Sequence, residues 1–214
     1  MIDNKRILFD DEIRQNYKLQ IIAGSDEAGR GAMAGPIVVA TVILPATYQN
    51  PLIKDSKKLP ESMRESLYEE ITQIALDWKV AVYDSLAVDE LNPKHASILG
   101  MIKSIEELSV KPEICLIDGE KLPISDYQTL QIIKGDDLSQ TIAAASIIAK
   151  VTRDRIMKNY AKVYPQYNFD KHKGYCTKDH YQQLEIHGIT EIHRQSYKPV
   201  KEAVLRDLLK QKGH

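Results

Sequence analysis

Gly24-Ser-Asp-Glu-Ala-Gly-Arg-Gly-Ala-Met-Ala-Gly35 lies between an apolar segment, Ile21-Ile-Ala23, and a nearly unbroken β-branched run, Ile37-Val-Val-Ala-Thr-Val-Ile-Leu44. The pattern reads as strand, glycine-rich turn, strand. Asp26 and Glu27 stand side by side where the first strand gives way to the turn, and Arg30 is held between Gly29 and Gly31. Successive strand side chains point to opposite faces, so the two acids share one site only if the chain leaves strand geometry there, which the glycines permit. Other readings compete for this stretch. Gly24 and Gly29 have the spacing of the first two P-loop glycines, but Arg30-Gly31 stands where a P-loop carries Lys-Ser/Thr. A dinucleotide fingerprint fails as well, because Gly29-x-Gly31-x-x-x-Gly35 has the wrong spacing and opens a strand. A plain hairpin with an acidic loop fits the stretch taken alone, so the rest of the chain has to decide.

The 214 residues suffice for one well-filled core with a small appendage. The absence of a long apolar run and of a basic-then-apolar amino terminus argues against a membrane span or a secretory signal. Two cysteines, Cys115 and Cys176, without CxxC spacing fit free thiols in a reducing compartment, so a cytoplasmic location is expected. The net charge of −1 hides a polarity: residues 147–214 hold fourteen Lys/Arg against seven Asp/Glu, a net of +7, which leaves −8 on residues 1–146. A basic region beside an acidic body is often only solvated surface. It also suits a protein that holds a polyanion with one part and cations with the other.

Working outward, residues 1–18 predict a short helix, and Lys54-Asp-Ser-Lys-Lys-Leu-Pro60 a polar loop able to hold phosphates or to be a plain turn. A helix is expected from Glu61 to about Asp77, with Met63, Leu67, Ile71 and Ile74 as its apolar stripe. Lys79–Asp84 reads as a third strand, and a helical stretch broken at Asn92-Pro93 follows. Glu113–Asp118 and Leu130–Lys134 read as further strands, ending at Gly119 and at Gly135-Asp136-Asp137. A long helix capped by Ser139 runs towards Tyr160; a helix from about Lys178 to His187 and a final amphipathic helix through Val204, Leu205, Leu208 and Leu209 complete the chain.

Three predicted strands thus end in acids beside glycine: Asp26-Glu27, Asp118 and Asp136-Asp137. In an α/β sheet, strand ends meet where function gathers. Converging carboxylates repel one another unless cations intervene, and hard divalent ions such as Mg²⁺ and Mn²⁺ prefer such oxygens. A pair of these ions activates water and stabilises a leaving oxygen, so the constellation points to metal-dependent phosphoryl chemistry.

The segments Asp26-Glu-Ala-Gly-Arg-Gly31 with Ala34-Gly-Pro36, Asp55-Ser-Lys-Lys-Leu59, Ile117-Asp-Gly119, Lys134-Gly-Asp136 followed by Ile142-Ala-Ala-Ala-Ser-Ile-Ile-Ala-Lys-Val-Thr-Arg-Asp154, and Lys173-Gly-Tyr175 with His193-Arg-Gln-Ser196 together resemble ribonuclease HII. They occur in that family's order over about residues 19–197. The resemblance implies an α/β, RNase H-like fold with a mixed five-stranded sheet flanked by helices: a catalytic core over 1–169 and a small, basic, mainly helical extension over 170–214. It implies a nuclease acting as a monomer on RNA/DNA hybrids and on DNA duplexes containing ribonucleotides, with Mg²⁺ or Mn²⁺ in a two-metal mechanism. Asp26, Glu27, Asp118 and Asp136 would be the catalytic, metal-binding acids, Asp137 being the neighbouring competitor for the last place. Gly29, Arg30 and Gly31 would read the ribose 2′-hydroxyl, and Tyr175 would stack on the neighbouring deoxyribose. Ser56, Lys57 and Arg194 would hold phosphates, with Ser146 and Lys150 further substrate contacts or simple helix packing. Ala32-Met33 stands where the family usually has Pro-Leu, and Cys176 where it often has Gly, which puts loop rigidity in question. His172, His180, His187 and His193 are expected at the surface or at nucleic acid. A replication clamp is a conceivable partner, though the carboxyl terminus has no recognisable clamp motif. A non-catalytic nucleic-acid module and a small-molecule phosphotransferase are the competing readings.

Overall fold

The computed structural model describes residues 4–123 and 126–212. Five strands form one sheet in the order β3-β2-β1-β4-β5: β1 Ile22–Ala28, β2 Ile37–Ile43, β3 Asp77–Tyr83, β4 Ile114–Asp118 and β5 Thr129–Ile132. β1 pairs antiparallel with β2 and parallel with β4, and β4 pairs parallel with β5, so the sheet is mixed as expected. The helices are α1 Lys5–Tyr17, α2 Glu61–Ile74, α3 Ser85–Leu91, α4 Pro93–Glu106, α5 Gly135–Leu138, α6 Gln140–Val163, α7 Phe169–His172, α8 Lys178–His187 and α9 Lys198–Lys212.

β1 carries the two acids at its end as expected, but the chain does not leave strand geometry there: the strand runs through Ser25, Asp26 and Glu27, which stand in register with Thr41, Ala40 and Val39 of β2. Gly24 is there for space and not for a turn: a Cβ on it would come within 2.4 Å of the Thr141 backbone in α6. The turn begins only at Gly29, whose φ of +101° is open chiefly to glycine. The stripe expected on α2 is narrower than its spacing suggests, since Leu67 and Ile71 are buried whereas Met63 and Ile74 are exposed. That helix ends three residues early because Asp77 already opens β3. The expected break between α3 and α4 is realised at Asn92, with φ +63°, followed by Pro93.

Packing groups the chain into two compact units, one of Met1–Ala28, Val38–Ala81 and Ser97–Val151, the other of Gly29–Ile37, Val82–Ala96 and Thr152–His214. The boundary expected at residue 169 coincides with the edge of neither, because residues 29–37 and 82–96 group with 152–214. The first unit has a core of Ile13, Ile22, Ile114, Leu116 and Ile142. Each such side chain contributes about 1.5–3 kcal/mol by leaving water. Asp10 fastens α1 to the start of α6, its Oδ2 accepting from Thr141 N (2.9 Å) and Thr141 Oγ1 (2.7 Å). A carboxylate is well placed there because the first amide groups of a helix lack intrahelical partners. Ser139 caps the same end, its Oγ accepting from Ile142 N at 3.1 Å. The second unit has one cluster of Ala34, Met157, Tyr167, Phe169 and Ile192 and another of Met33, Leu184, Val200 and Ala203.

Candidate active site

Parallel strands bring their carboxyl ends to one edge, and here that edge collects acids. Ser25 of β1 is in register with Ile117 of β4, so Asp26 and Asp118 follow at the same level; Asp118 is in register with Ile132 of β5, after which α5 carries Asp136. A carboxylate oxygen of each of Asp26, Asp118 and Asp136 lies within 4.8 Å of the others. Asp26 is held by the Glu27 amide, which donates to its Oδ1 at 2.7 Å, and Asp118 by the Gly135 amide, which donates to its Oδ1 at 2.6 Å. Gly135 belongs to this contact, since a Cβ there would meet Ile142 Cδ1 at 2.5 Å and Asp118 Oδ1 at 3.2 Å.

The electrostatics are those of crowded anions. Burial, then the charges of Glu27, Asp118 and Asp136, push Asp26 well above the usual carboxylate range. Asp118 is raised by burial against the opposing pull of the Gly135 amide and Lys57, and Asp136 is raised to about 6 by burial and by Asp118. Lys57, with its ammonium 3.7 Å from Asp136 Oδ2, is raised although burial pulls it down, because Asp26 and Asp136 favour its charge. Glu27 falls outside the three-carboxylate group, although its charge is the foremost of those that raise Asp26. Asp137 is also outside the group. It pairs with Lys58, and that bond holds its carboxyl below the usual range. The structure thus brings Asp136, and not Asp137, beside Asp26 and Asp118. Ser56 and Ser146 bond to each other through their hydroxyls at 2.8 Å, and Asp55 shapes the loop by accepting from Lys57 N at 2.9 Å. Lys150 stands one turn beyond Ser146 on α6.

In the second unit, two arginines that sequence reasoning did not assign to this task hold the Gly29–Ile37 segment. Arg153, fully buried, donates to the carbonyls of Pro36 (2.8 Å), Ala34 (3.1 Å) and Lys173 (2.8 Å), and its guanidinium lies over the Tyr175 ring at 5.0 Å. Arg194, expected to hold a phosphate, is a correction: it is fully buried and donates to Gly35 O (3.0 and 2.8 Å), Arg30 O (3.1 Å) and the Tyr197 hydroxyl (3.0 Å). Arg153 was visible only as a letter inside the helix motif, with no spacing signal to mark its role. The loop-rigidity question raised by Ala32-Met33 resolves in the same place. Both residues are buried; Met33 N donates to Gly174 O and Met33 O accepts from Arg194 N. Tyr175 is bridged to Ala32.

The histidines are a second correction. His172, His180 and His193 are buried, not at the surface. Burial holds His180 down to about 3 and His193 to about 4. Their tautomers follow from their partners. The Thr190 amide can only donate, so His193 Nδ1 accepts at 2.9 Å and the ring proton sits on Nε2. The Tyr175 carbonyl can only accept, so His180 Nδ1 donates at 3.0 Å and its Nε2 receives the His193 proton at 3.1 Å. His172 accepts from the Gly174 amide at 3.2 Å and donates through Nε2 to Tyr167 O at 2.6 Å. Neutral imidazoles therefore hold the turn that presents Tyr175 from both sides. The exposed turn residue Gly31 differs from Gly24 and Gly29: a Cβ there would meet nothing within 4 Å. Nothing in the fold requires its lack of a side chain.

The Ribonuclease HII family model matches residues 23–200. The chain belongs to the ribonuclease HII family. The ribonuclease HII of Mycoplasma mycoides subsp. mycoides is 52% identical over 194 residues, covering 90% of this chain and 94% of that protein. That of Halalkalibacterium halodurans is 49% identical over 181 residues, covering 85% and 68%. Among solved structures, the ribonuclease H2 of Pyrococcus horikoshii shares the fold, with a TM-score of 0.73 at 23% identity over 87% of this chain and 98% of that one. An Archaeoglobus fulgidus RNase HII solved in complex with PCNA matches with a TM-score of 0.70 at 28% identity, over 83% and 95%. Family membership makes the chain a ribonuclease H, with ribonuclease activity on RNA/DNA hybrids. The family is metal-dependent, and the group of three acids is consistent with that. Among the described residues, no helix is long and apolar enough to cross a membrane.

Proposed function

We propose that this ribonuclease is an endonuclease that cuts immediately 5′ of a ribonucleotide at an RNA–DNA junction. It acts on RNA/DNA hybrids and on single ribonucleotides embedded in duplex DNA, leaving a 3′ hydroxyl and a 5′ phosphate. The observation that carries the reading is the convergence of Asp26, Asp118 and Asp136 within 4.8 Å, with all three carboxyls raised. Lys57 offsets only part of that charge, and hard divalent ions suit the remaining oxygen donors. Asp26, Asp118 and Asp136 would hold Mg²⁺ or Mn²⁺, with Glu27 the fourth acid, supported by the field it exerts on Asp26. A bound pair of such ions would supply an activated water and stabilise the leaving 3′ oxygen.

The chain's own residues supply position. The amides of Glu27 and Gly135 aim two of the acids, and Lys57, its side chain largely exposed, offers its ammonium to a phosphate beside Asp136. Ser56 and Ser146, whose hydroxyls are buried against each other, and Lys150 complete the proposed substrate contacts on this side. Gly29, Arg30 and Gly31 read the 2′-hydroxyl through backbone groups, and Gly31 leaves room for a sugar to come close. Tyr175, backed by Arg153, stacks on the adjoining deoxyribose. In this reading residues 1–169 are the catalytic core and 170–214 the extension that adds the stacking tyrosine. The enzyme works as a monomer in the cytoplasm, in keeping with its two free thiols. A sliding clamp enters as a partner through the Archaeoglobus relative solved with PCNA.

Product mapping tests this. With Mg²⁺ or Mn²⁺, a DNA duplex carrying one ribonucleotide is expected to yield a single cut on the 5′ side of that residue, with an extendable 3′ end. An intact duplex under both metals, or cuts scattered along the RNA of a hybrid with none at the junction, would refute the proposal.

A further inference from the structure

Beside the acid cluster, the first unit contains a cavity of about 630 Å³ lined by Lys5, Arg6, Lys54 and Lys58, with Asn50, Pro51 and Leu52 and a single carboxylate, Asp137. Four cations against one anion leave a net charge of +3 on its wall. The cations come from separate segments that fixed contacts bring together. Asp10 ties α1 to the start of α6, and the largely buried Arg6 donates from Nε to Ile53 O at 3.0 Å, which fixes its guanidinium against the 50–54 loop. Asn50 N is in turn anchored on Gln140 Oε1 at 2.9 Å. The cations already converge on an oxyanion. Lys58 pairs with Asp137, and Lys5 and Arg6 line the same cavity wall as that carboxylate. Lys58 and Asp137 are also the immediate chain neighbours of Lys57 and Asp136, so the cavity wall continues from the cluster.

We propose that this cavity is a second phosphate subsite, in which Lys5, Arg6, Lys54 and Lys58 hold a backbone phosphate of the nucleic-acid substrate away from the phosphate being cut. The inference rests on the ribonuclease reading above and extends the substrate's footprint onto α1, which lies outside every motif that carried the family resemblance. Pro51 and Leu52 give the cavity an apolar wall suited to a sugar, whereas a site for a free inorganic anion has no use for one. When the substrate phosphate arrives, Lys58 exchanges its carboxylate partner for a phosphate oxygen, and Lys5, Lys54 and Arg6 surround it. Such contacts add affinity without reading sequence.

The test uses the full chain and the double variant Lys5→Gln/Lys54→Gln, which leaves the buried Arg6 and the acid cluster intact. Binding to a duplex with one ribonucleotide is measured by fluorescence anisotropy across a salt series, and cleavage is measured on the same duplex. For one lost phosphate contact, the slope of log K against log salt is expected to fall by about 0.9, and KM to rise about tenfold with kcat retained. An unchanged slope and KM in a variant with the wild-type melting temperature would overturn the subsite. A third arm titrates inorganic phosphate into the wild type. Competition with the duplex that the variant abolishes while its salt slope stays wild-type would mark a free-anion site and equally overturn it. Failure of the wild type to cut the duplex at all would strike the ribonuclease reading, whereas normal cutting with an unaltered slope strikes only the cavity.

Discussion

In the first unit Asp26, Asp118 and Asp136 crowd within 4.8 Å and all titrate high, whereas in the second unit Arg153, Arg194, His172, His180 and His193 are buried with backbone carbonyls, amides and one another as partners. Both regions take polar groups out of water and give them hydrogen bonds, but only the first also gathers like charges, which its two amide donors and Lys57 do not balance. Buried polar groups that are fully paired rigidify a structure; buried charges of one sign oppose it until a counter-charge arrives. The contrast separates a site with stored electrostatic demand from a scaffold whose demand is met. It also gives the two regions opposite pH dependence.

The largest effect that could break the comparison is on chemistry. Asp136→Asn is expected to lower the cleavage rate by about a thousandfold or more, the scale on which removing one electrostatic stabiliser acts. In the absence of divalent metal, the same variant should be more stable than wild type by about 1 kcal/mol, because the buried carboxylate no longer faces Asp118. Denaturant melts in EDTA check this, and a destabilised variant would deny that the carboxylates repel.

Arg194→Met probes the other side. It removes four donated hydrogen bonds from a fully buried side chain. It should cost about 3 kcal/mol or more in urea unfolding, since the carbonyls of Gly35 and Arg30 lose a charged donor. A loss below about 1 kcal/mol would mean that those contacts do not organise the loop.

The pH response comes next. His180 and His193 titrate near 3 and 4 in the folded chain, below the ordinary 6.5, so the unfolded chain takes up protons first as pH falls. Their stabilisation is complete above about 6.5 and is lost as pH falls towards about 4. Asp136 runs the other way: its raised value means that stability present below about 4 is lost as pH rises through about 6 when no metal is bound. Melting temperatures of His193→Gln across pH 4 to 7 should show a flatter acid limb than wild type, and an identical limb would contradict the histidine account.

The smallest structural effect is predicted at Gly31. Because a Cβ there meets nothing, Gly31→Ala should leave stability within about 0.5 kcal/mol while slowing cleavage at a single ribonucleotide. Gly29→Ala, with φ +101° and Arg153 Nε only 2.1 Å from its Cβ, should instead destabilise the fold. If both behave alike in melting experiments, the division between a ligand-facing and a packing glycine fails.

Much of this was legible from residues alone. Five strands, three of them ending in acid beside glycine, were legible as apolar runs, whereas their assembly into one mixed sheet came with the family resemblance; parallel pairing then brings Asp26, Asp118 and Asp136 to one edge. The role of Gly24 was not legible, because it looks like a turn former until the close passage of α6 shows that it is a spacer. Nor were the buried arginines and histidines. Arg194 read as a phosphate ligand and His193 as a surface or nucleic-acid contact because their types are usually exposed, and only tertiary placement supplies the carbonyls and amides that let them go under. The same limit explains the cavity: Lys5 and Lys54 are ordinary surface lysines in sequence, and only the docking of α1 makes them neighbours.

The most direct test of the central claim is a metal titration followed by thermal melting at pH 7, with wild type and Asp136→Asn side by side. If the carboxylates are held ready for a divalent ion, Mn²⁺ should raise the wild-type melting temperature in a saturable way, and the variant should lose most of that rise while already melting higher in EDTA. Equal shifts in both proteins, or no shift in either at millimolar Mn²⁺, would contradict it.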